Sequence, residues 1–233
     1  MKRNLMGPFL LIGLFLSACQ PNANSNKKER IDTPGQNTKT QSIQNEIAVD
    51  VQGNQYKTTK IGNQVWMAEN LRNTQIDCPD DTKVVFTNGI ERGPGVSFYD
   101  EKVRYAFYNN DSLNSEGVIY NYRIVKDCDI CPIGYRIPSY DDWEILINYL
   151  GGKTKAGARL IPSGDLDFNG RPTGRIDSYG SVYKGDFGFW WSNTRSFGSK
   201  FNNTYTFELS KIGILKLKPQ DVRCGNYVRC LKN

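Results

Sequence analysis

An apolar run from Leu5 to Leu16, preceded by Lys2-Arg3 and closed by Leu16-Ser17-Ala18-Cys19, decides how much of this chain folds and in what compartment. The run is too short for a helix across a hydrocarbon layer of about 30 Å, which needs about 20 residues. It fits the h-region of a secretory signal that is removed before folding. The large-small-small-Cys order at its end is that of a lipobox. Residues 1–18 are therefore expected to leave as a signal peptide, and Cys19 to carry acyl chains such as palmitate. Several chains on one residue make a firm membrane anchor. Gln20 stands where an inner-membrane retention signal would have aspartate, so the expected location is the outer membrane, on its periplasmic or cell-surface side. The remaining 215 residues suffice for one domain with its own core.

Export also bears on the cysteines. With Cys19 lipidated, Cys78, Cys128, Cys131, Cys224 and Cys230 remain, and an oxidising envelope favours pairing them. Five is odd, so one thiol is left over or pairs outside the chain. The mature chain carries 28 basic against 24 acidic residues, dispersed without a basic helix or Arg-rich block, which does not argue for nucleic acid.

Gln20 to Glu46 is Asn, Gln, Ser, Thr and Lys with almost no apolar residues, including the charged Lys27-Lys28-Glu29-Arg30. Such a segment cannot bury enough surface to offset its ordering entropy and reads as a disordered tether over residues 19–46. The folded domain is expected over 47–233. Tyr56 to Ile61 alternates, Gly62-Asn63 marks a turn, and Gln64 to Met67 resumes, a hairpin signature. Asp77 to Glu116 reads as long loops with a strand at Tyr105–Tyr108, followed by a strand at Val118–Tyr122. One helix is predicted over about 139–150. Ser139 is its N-cap, Asp141 and Asp142 suit its first turn, and Trp143, Leu146, Ile147 and Leu150 form one apolar stripe before Gly151-Gly152. Trp143 on that stripe reads as core. A second loop region runs to Gly185, then strands are predicted at Phe187–Ser192, Thr204–Leu209, Ile214–Lys218 and Tyr227–Cys230. No internal repeat is visible. The pattern is α+β, with antiparallel sheet, one main helix and long loops.

Several of these pieces resemble a known family, the Fibrobacter succinogenes major paralogous domain of Bacteroidetes-type lipoproteins. They are the run Lys60 to Arg72 with Trp66-Met67-Ala68-Glu69-Asn70-Leu71-Arg72, the run Cys131-Pro132-Ile133-Gly134-Tyr135-Arg136-Ile137-Pro138-Ser139 with Trp143, then Phe189-Trp190-Trp191-Ser192-Asn193-Thr194, and Val228-Arg229-Cys230. The resemblance implies a fold similar to C-type lectins and to the formylglycine-generating enzyme domain, with both chain ends in one sheet. It implies a bridge between Cys131 and Cys230, whose loop of about a hundred residues would contribute on the order of 4 to 5 kcal/mol in the chain-entropy model. Cys128 is then expected to pair with Cys78 or Cys224.

The chain has no histidine. That excludes Ser-His-Asp and Cys-His sites, a His-ligated zinc and a His general base. A glycosidase needs two carboxyls about 5 to 9.5 Å apart, and Asp165, Asp167, Asp177 and Asp186 are loop acids of no special pattern. Cys128-Asp129-Ile130-Cys131 has CxxC spacing without a thioredoxin-like strand-to-helix context. The relatives that make formylglycine use a reactive cysteine pair late in the domain. Cys224 and Cys230 lie there without the neighbours of that motif. No enzyme activity is expected.

Asp165, Asp167 and Asn169 before Gly170 have the opening spacing of an EF-hand calcium loop, but the twelfth position is Ile176 and no helices flank it. An Asx-turn loop is expected there, with calcium as the alternative and no other cofactor. The calcium-bridged sugar site of lectins is not supported, because Trp191-Ser192-Asn193 lacks the following aspartate and the Pro loop is absent. What remains is recognition through loops. Tyr99, Tyr105, Tyr179 and Tyr183, with Tyr108, are the candidate ligand-contacting aromatics, although most such residues pack loops or core. The expectation is a membrane-anchored recognition protein for a glycan or an envelope protein, with an assembly component of an envelope complex as the alternative and an enzyme of the formylglycine-generating type as the third reading.

Overall fold

The structure, a computed structural model, describes residues 46–79, 83–87, 102–108, 116–178, 182–183, 185–197 and 203–233, with Val182 and Tyr183 described by backbone only. The expected signal peptide, Cys19, the expected tether up to residue 45, Tyr99 and Tyr179 lie outside the described residues, and so does the side chain of Tyr183.

β1 (Ile47–Val49), β2 (Gln55–Ile61) and β3 (Gln64–Met67) open the domain, followed by β4 (Val84–Phe86), β5 (Val103–Phe107) and β6 (Val118–Asn121). Helix α1 (Tyr122–Asp127), β7 (Tyr135–Arg136), α2 (Tyr140–Tyr149) and α3 (Lys153–Leu160) form the middle. Then come β8 (Arg175–Ile176), β9 (Val182–Tyr183), β10 (Phe187–Ser196), β11 (Asn203–Ser210), β12 (Leu215–Asp221), β13 (Gly225–Asn226) and β14 (Leu231–Lys232). Among the described residues they assemble three sheets in the orders β1-β2-β3-β14-β7, β10-β11-β12 and β4-β5-β6-β13-β8-β9. The first places the N-terminal hairpin beside the last strand, with Trp66 opposite Leu231. The class is α+β, mostly sheet. Among the described residues no helix is long and apolar enough to cross a membrane.

The sheet is not wholly antiparallel, because β4 runs parallel to β5 with Phe86 opposite Tyr105. Among the described residues the predicted main helix is present as α2, and α1 and α3 are added to it. α1 begins at Tyr122, which the alternation had assigned to a strand, because the Asn121 side chain accepts from the Ile124 N–H and turns the chain into a helix. The strand predicted at Tyr227–Cys230 is an irregular extended segment between sheets. Its Tyr227 exchanges bonds with Phe189 and Trp191, while the Val228 and Cys230 carbonyls accept from Leu71 and Met67. β14 follows one residue later.

The cap of α2 explains much of the second motif. Ser139 Oγ accepts from the Asp142 N–H at 3.1 Å, and Asp142 Oδ2 accepts from the Ser139 N–H at 2.7 Å, a reciprocal capping box. Arg136 then closes on Asp142 with both arms of its guanidinium. Partial burial opposes ionisation of Asp142, but Arg136 and Ser139 outweigh it and hold the carboxyl below its usual range. Trp143 stacks on Phe207 with centroids 4.2 Å apart and meets Trp66 at 4.5 Å, so it is core.

Cys131 is bonded to Cys230 and Cys78 to Cys128, closing separations of 99 and 50 residues. The two cysteines of the CxxC spacing thus have different partners. Cys224 is free and 3 % exposed, so its thiol is shut off from other chains in the folded state.

Candidate functional site

The linker after β3 leaves the sheet as Ala68-Glu69-Asn70-Leu71-Arg72, and its side chains fasten three distant segments together. Asn70 is 5 % exposed. Its Oδ1 accepts from Trp190 Nε1 at 2.7 Å and from Arg229 Nη2 at 3.1 Å, and its Nδ2 donates to the Glu116 carbonyl at 2.8 Å. The approach of residue 116 requires a glycine beside it. Gly117 has φ +130, and a Cβ there would lie 2.5 Å from the Cβ of Asn70.

Arg229 is the other half of this junction. It is 2 % exposed, lies over the Phe168 ring at 4.4 Å and the Trp190 ring at 5.4 Å, and donates to the carbonyls of Phe168 and, at 3.4 Å, Asn169. Its Nε has no hydrogen-bond partner among the described residues. Burial pushes the guanidinium down to about 9, against a smaller pull upward from Glu69. By holding those two carbonyls, Arg229 fixes the loop from Pro162 to Gly170 in which Asn169 has φ 52, a left-handed conformation that Asn tolerates. The loop closes where the Gly170 N–H meets the Leu160 carbonyl at 2.7 Å.

Between linker and loop lies a cleft of about 960 Å³. Glu69, Asn70 and Arg72 form one wall, Asp165, Asp167 and Asn169 the other, with Arg171 and Glu116 at an end and Arg229 also in the lining. Arg72 bonds Glu69 at 2.7 Å, reaches the Gln55 carbonyl at 2.8 Å and stacks over Tyr56 at 4.6 Å. Partial burial works against the charge on Glu69, but the Lys57 N–H and Arg72 prevail and hold its carboxyl below the usual range. Arg171 pairs with Glu116 at 3.3 Å. Glu69, Asn70, Arg72, Asp165 and Arg171 are therefore planar polar groups held by hydrogen bonds or ion pairs, suited to hydrogen-bonding a polyhydroxylated or amide-bearing ligand.

Of the residues singled out in the sequence, Asp165, Asp167 and Asn169 line this cleft. Both oxygens of Asp165 accept from Arg159, at 2.8 to 3.0 Å, so a cation there would have to displace a guanidinium. Among the described residues no three His, Cys, Asp or Glu side chains gather as a metal group. Asp177 is buried, and Asp186 pairs with Lys211 at 2.7 Å. Tyr105 is outside the cleft. It lies on β5 in a half-exposed group with Phe86 and Phe107, centroids 5.4 and 6.1 Å away. Sequence reasoning quoted Glu69, Asn70 and Arg229 within motifs without giving them a site. The signal was available: polar residues embedded in apolar motif context, a pattern that marks buried hydrogen-bonded groups.

The molecule is thus a disulfide-linked, mostly β domain in which Glu69, Asn70, Arg72 and Arg229, from two of the motifs, line one polar cleft, while Cys131 to Ile137 and Asn193, from the other two, line a separate pocket. Residues 59–232 match the Fibrobacter succinogenes major domain, and the chain belongs to that family. No curated protein and no solved structure matches the chain.

Proposed function

We propose that this chain is a non-enzymatic cell-envelope lipoprotein, anchored through Cys19, whose C-type-lectin-like domain binds a glycan in the cleft between the Glu69–Arg72 linker and the Pro162–Gly170 loop. The observation that carries this reading is that the motif residues Asn70, Trp190 and Arg229 hold the two walls of one cleft in register. The meeting of both ends of the domain in a single sheet supports the lectin-like fold. A formylglycine-generating activity is disfavoured. Cys230 is bonded to Cys131, and burial pushes the thiol of Cys224 up, away from reactivity.

The test is binding of the full chain to a panel of neutral and acidic polysaccharides, with and without a calcium chelator. Saturable binding that weakens about tenfold or more on Asp167→Ala or Arg171→Ala supports the cleft, since losing one good polar contact is of that order. Sensitivity to Tyr105→Ala instead would move the site to the aromatic group on β5, and chelator sensitivity would bring calcium to the Asp165 loop. Silence across the panel would replace the glycan reading with the assembly role.

A further inference from the structure

We propose that the ligand is an acidic glycan of the uronate type, whose carboxylate settles beside Lys57 above the buried Arg229. The inference rests on the glycan reading and narrows it. Most charges around the cleft are already spent on one another: Arg72 on Glu69, Arg171 on Glu116, and Arg159 of α3 on Asp165. Setting those pairs aside leaves Lys57 and Arg229 against Asp167, and none of the three has an ion-pair partner among the described residues. The lining alone is balanced, four cations against four carboxylates, and Arg159, which neutralises Asp165 from outside the lining, leaves one net positive charge.

Arg229 is the sharper of the two cations. Among the described residues its acceptors are neutral oxygens, those of Phe168, Asn169 and Asn70, and its Nε has none. A guanidinium removed from water and given carbonyls and ring faces recovers only part of its lost hydration, and such a charge calls for a counter-ion. Glu69 is the nearby acid, yet its Oε1 accepts from the Lys57 N–H at 3.0 Å and its Oε2 from Arg72 at 2.7 Å. A carboxylate arriving in the cleft would supply the missing charge without disturbing those bonds. A phosphate group would seek several cations together or a row of backbone N–H groups. This cleft offers one lysine and one recessed guanidinium between acids, with planar side chains along both walls for hydroxyls.

The experiment compares binding of the full chain to polygalacturonate and to its fully methyl-esterified form, the same backbone without charge, at low ionic strength. The acidic form is expected to bind about tenfold tighter, and Lys57→Gln to remove most of that preference. Lys57 is exposed, so this variant tests charge without touching the core. Lys211→Gln removes an equal charge outside the cleft lining and should change nothing. Equal affinity for the two forms, or an effect of Lys211→Gln as large as that of Lys57→Gln, overturns the acidic assignment and leaves the glycan reading standing. Binding only to neutral members of the panel does the same. Silence toward every saccharide overturns the glycan reading itself.

Discussion

Arg229 and Cys230 are neighbours in sequence, and they fasten the C-terminal segment to the two core clusters by different means. Cys230 reaches Cys131 through a covalent bond inside the cluster that holds Tyr56, Tyr120 and Trp191. Arg229 reaches Asn70 and the Phe168–Asn169 carbonyls through hydrogen bonds beside the cluster of Trp66, Trp143 and Phe207. A disulfide restrains the unfolded chain and asks nothing of its surroundings except an oxidising medium. A buried arginine has to be desolvated, and its bonds repay that only in part. The covalent tie is therefore explained by the fold without appeal to a site. The polar tie sits where it also shapes a wall of the cleft, and a function for that wall gives a reason to tolerate its cost.

The comparison breaks most readily at the covalent end. Replacing Cys131 and Cys230 together by serine is expected to lower unfolding free energy by about 4 to 5 kcal/mol, against about 4 for Cys78 with Cys128, whose loop is half as long. Urea unfolding of the two double variants measures this. A larger loss for Cys78 with Cys128 would mean that local packing, not loop length, governs both bridges.

At the polar end, Arg229→Ala is expected to cost about 3 kcal/mol, because it leaves Asn70 and two carbonyls short of a donor and opens a cavity between Phe168 and Trp190. Arg229→Met fills the space without a charge and should cost on the order of 1 kcal/mol. If Met costs as much as Ala, the hydrogen bonds themselves hold the segment. If Met costs nothing while binding is lost, the guanidinium serves the cleft rather than the fold.

The same contrast accounts for what could be read in advance. α2 was legible because Ser139 caps it and Trp143, Leu146, Ile147 and Leu150 mark one buried stripe. The β2–β3 hairpin was legible from alternation around Gly62-Asn63. α3 was not, because it starts from Gly152 without a side-chain cap and buries only Ala156, Gly157 and Leu160. It exists because Gly157 backs onto Gly213, whose carbonyl would lie 1.9 Å from any Cβ at 157, a closeness created by tertiary packing. The cleft was hidden for the same reason. Its decisive bond joins Asn70 to Arg229 across 159 residues, and no periodicity reports that. Aromatic residues in or beside loops drew attention instead, and Tyr105 lies on the strand expected there, outside the cleft lining.

The smallest effect is the most informative about Arg229. Its folded-state value, pushed down to about 9, lies below that of an arginine in the unfolded chain. The folded state therefore binds this proton less tightly than the unfolded state. The resulting destabilisation is fully present at pH below about 9 and is relieved as pH rises through that value. Tyr56 and Tyr227 work in the opposite sense. Burial raises both above the usual tyrosine value, so their contribution holds below about pH 10 and is lost above it. Comparing the native chain with Arg229→Met cancels the tyrosines and isolates the arginine. Between pH 8 and pH 10 the native chain should gain on the order of 1 kcal/mol relative to the variant in chemical denaturation. No relative gain would mean that the guanidinium already has compensation in the free protein. The case for a ligand carboxylate would then rest on Lys57 alone.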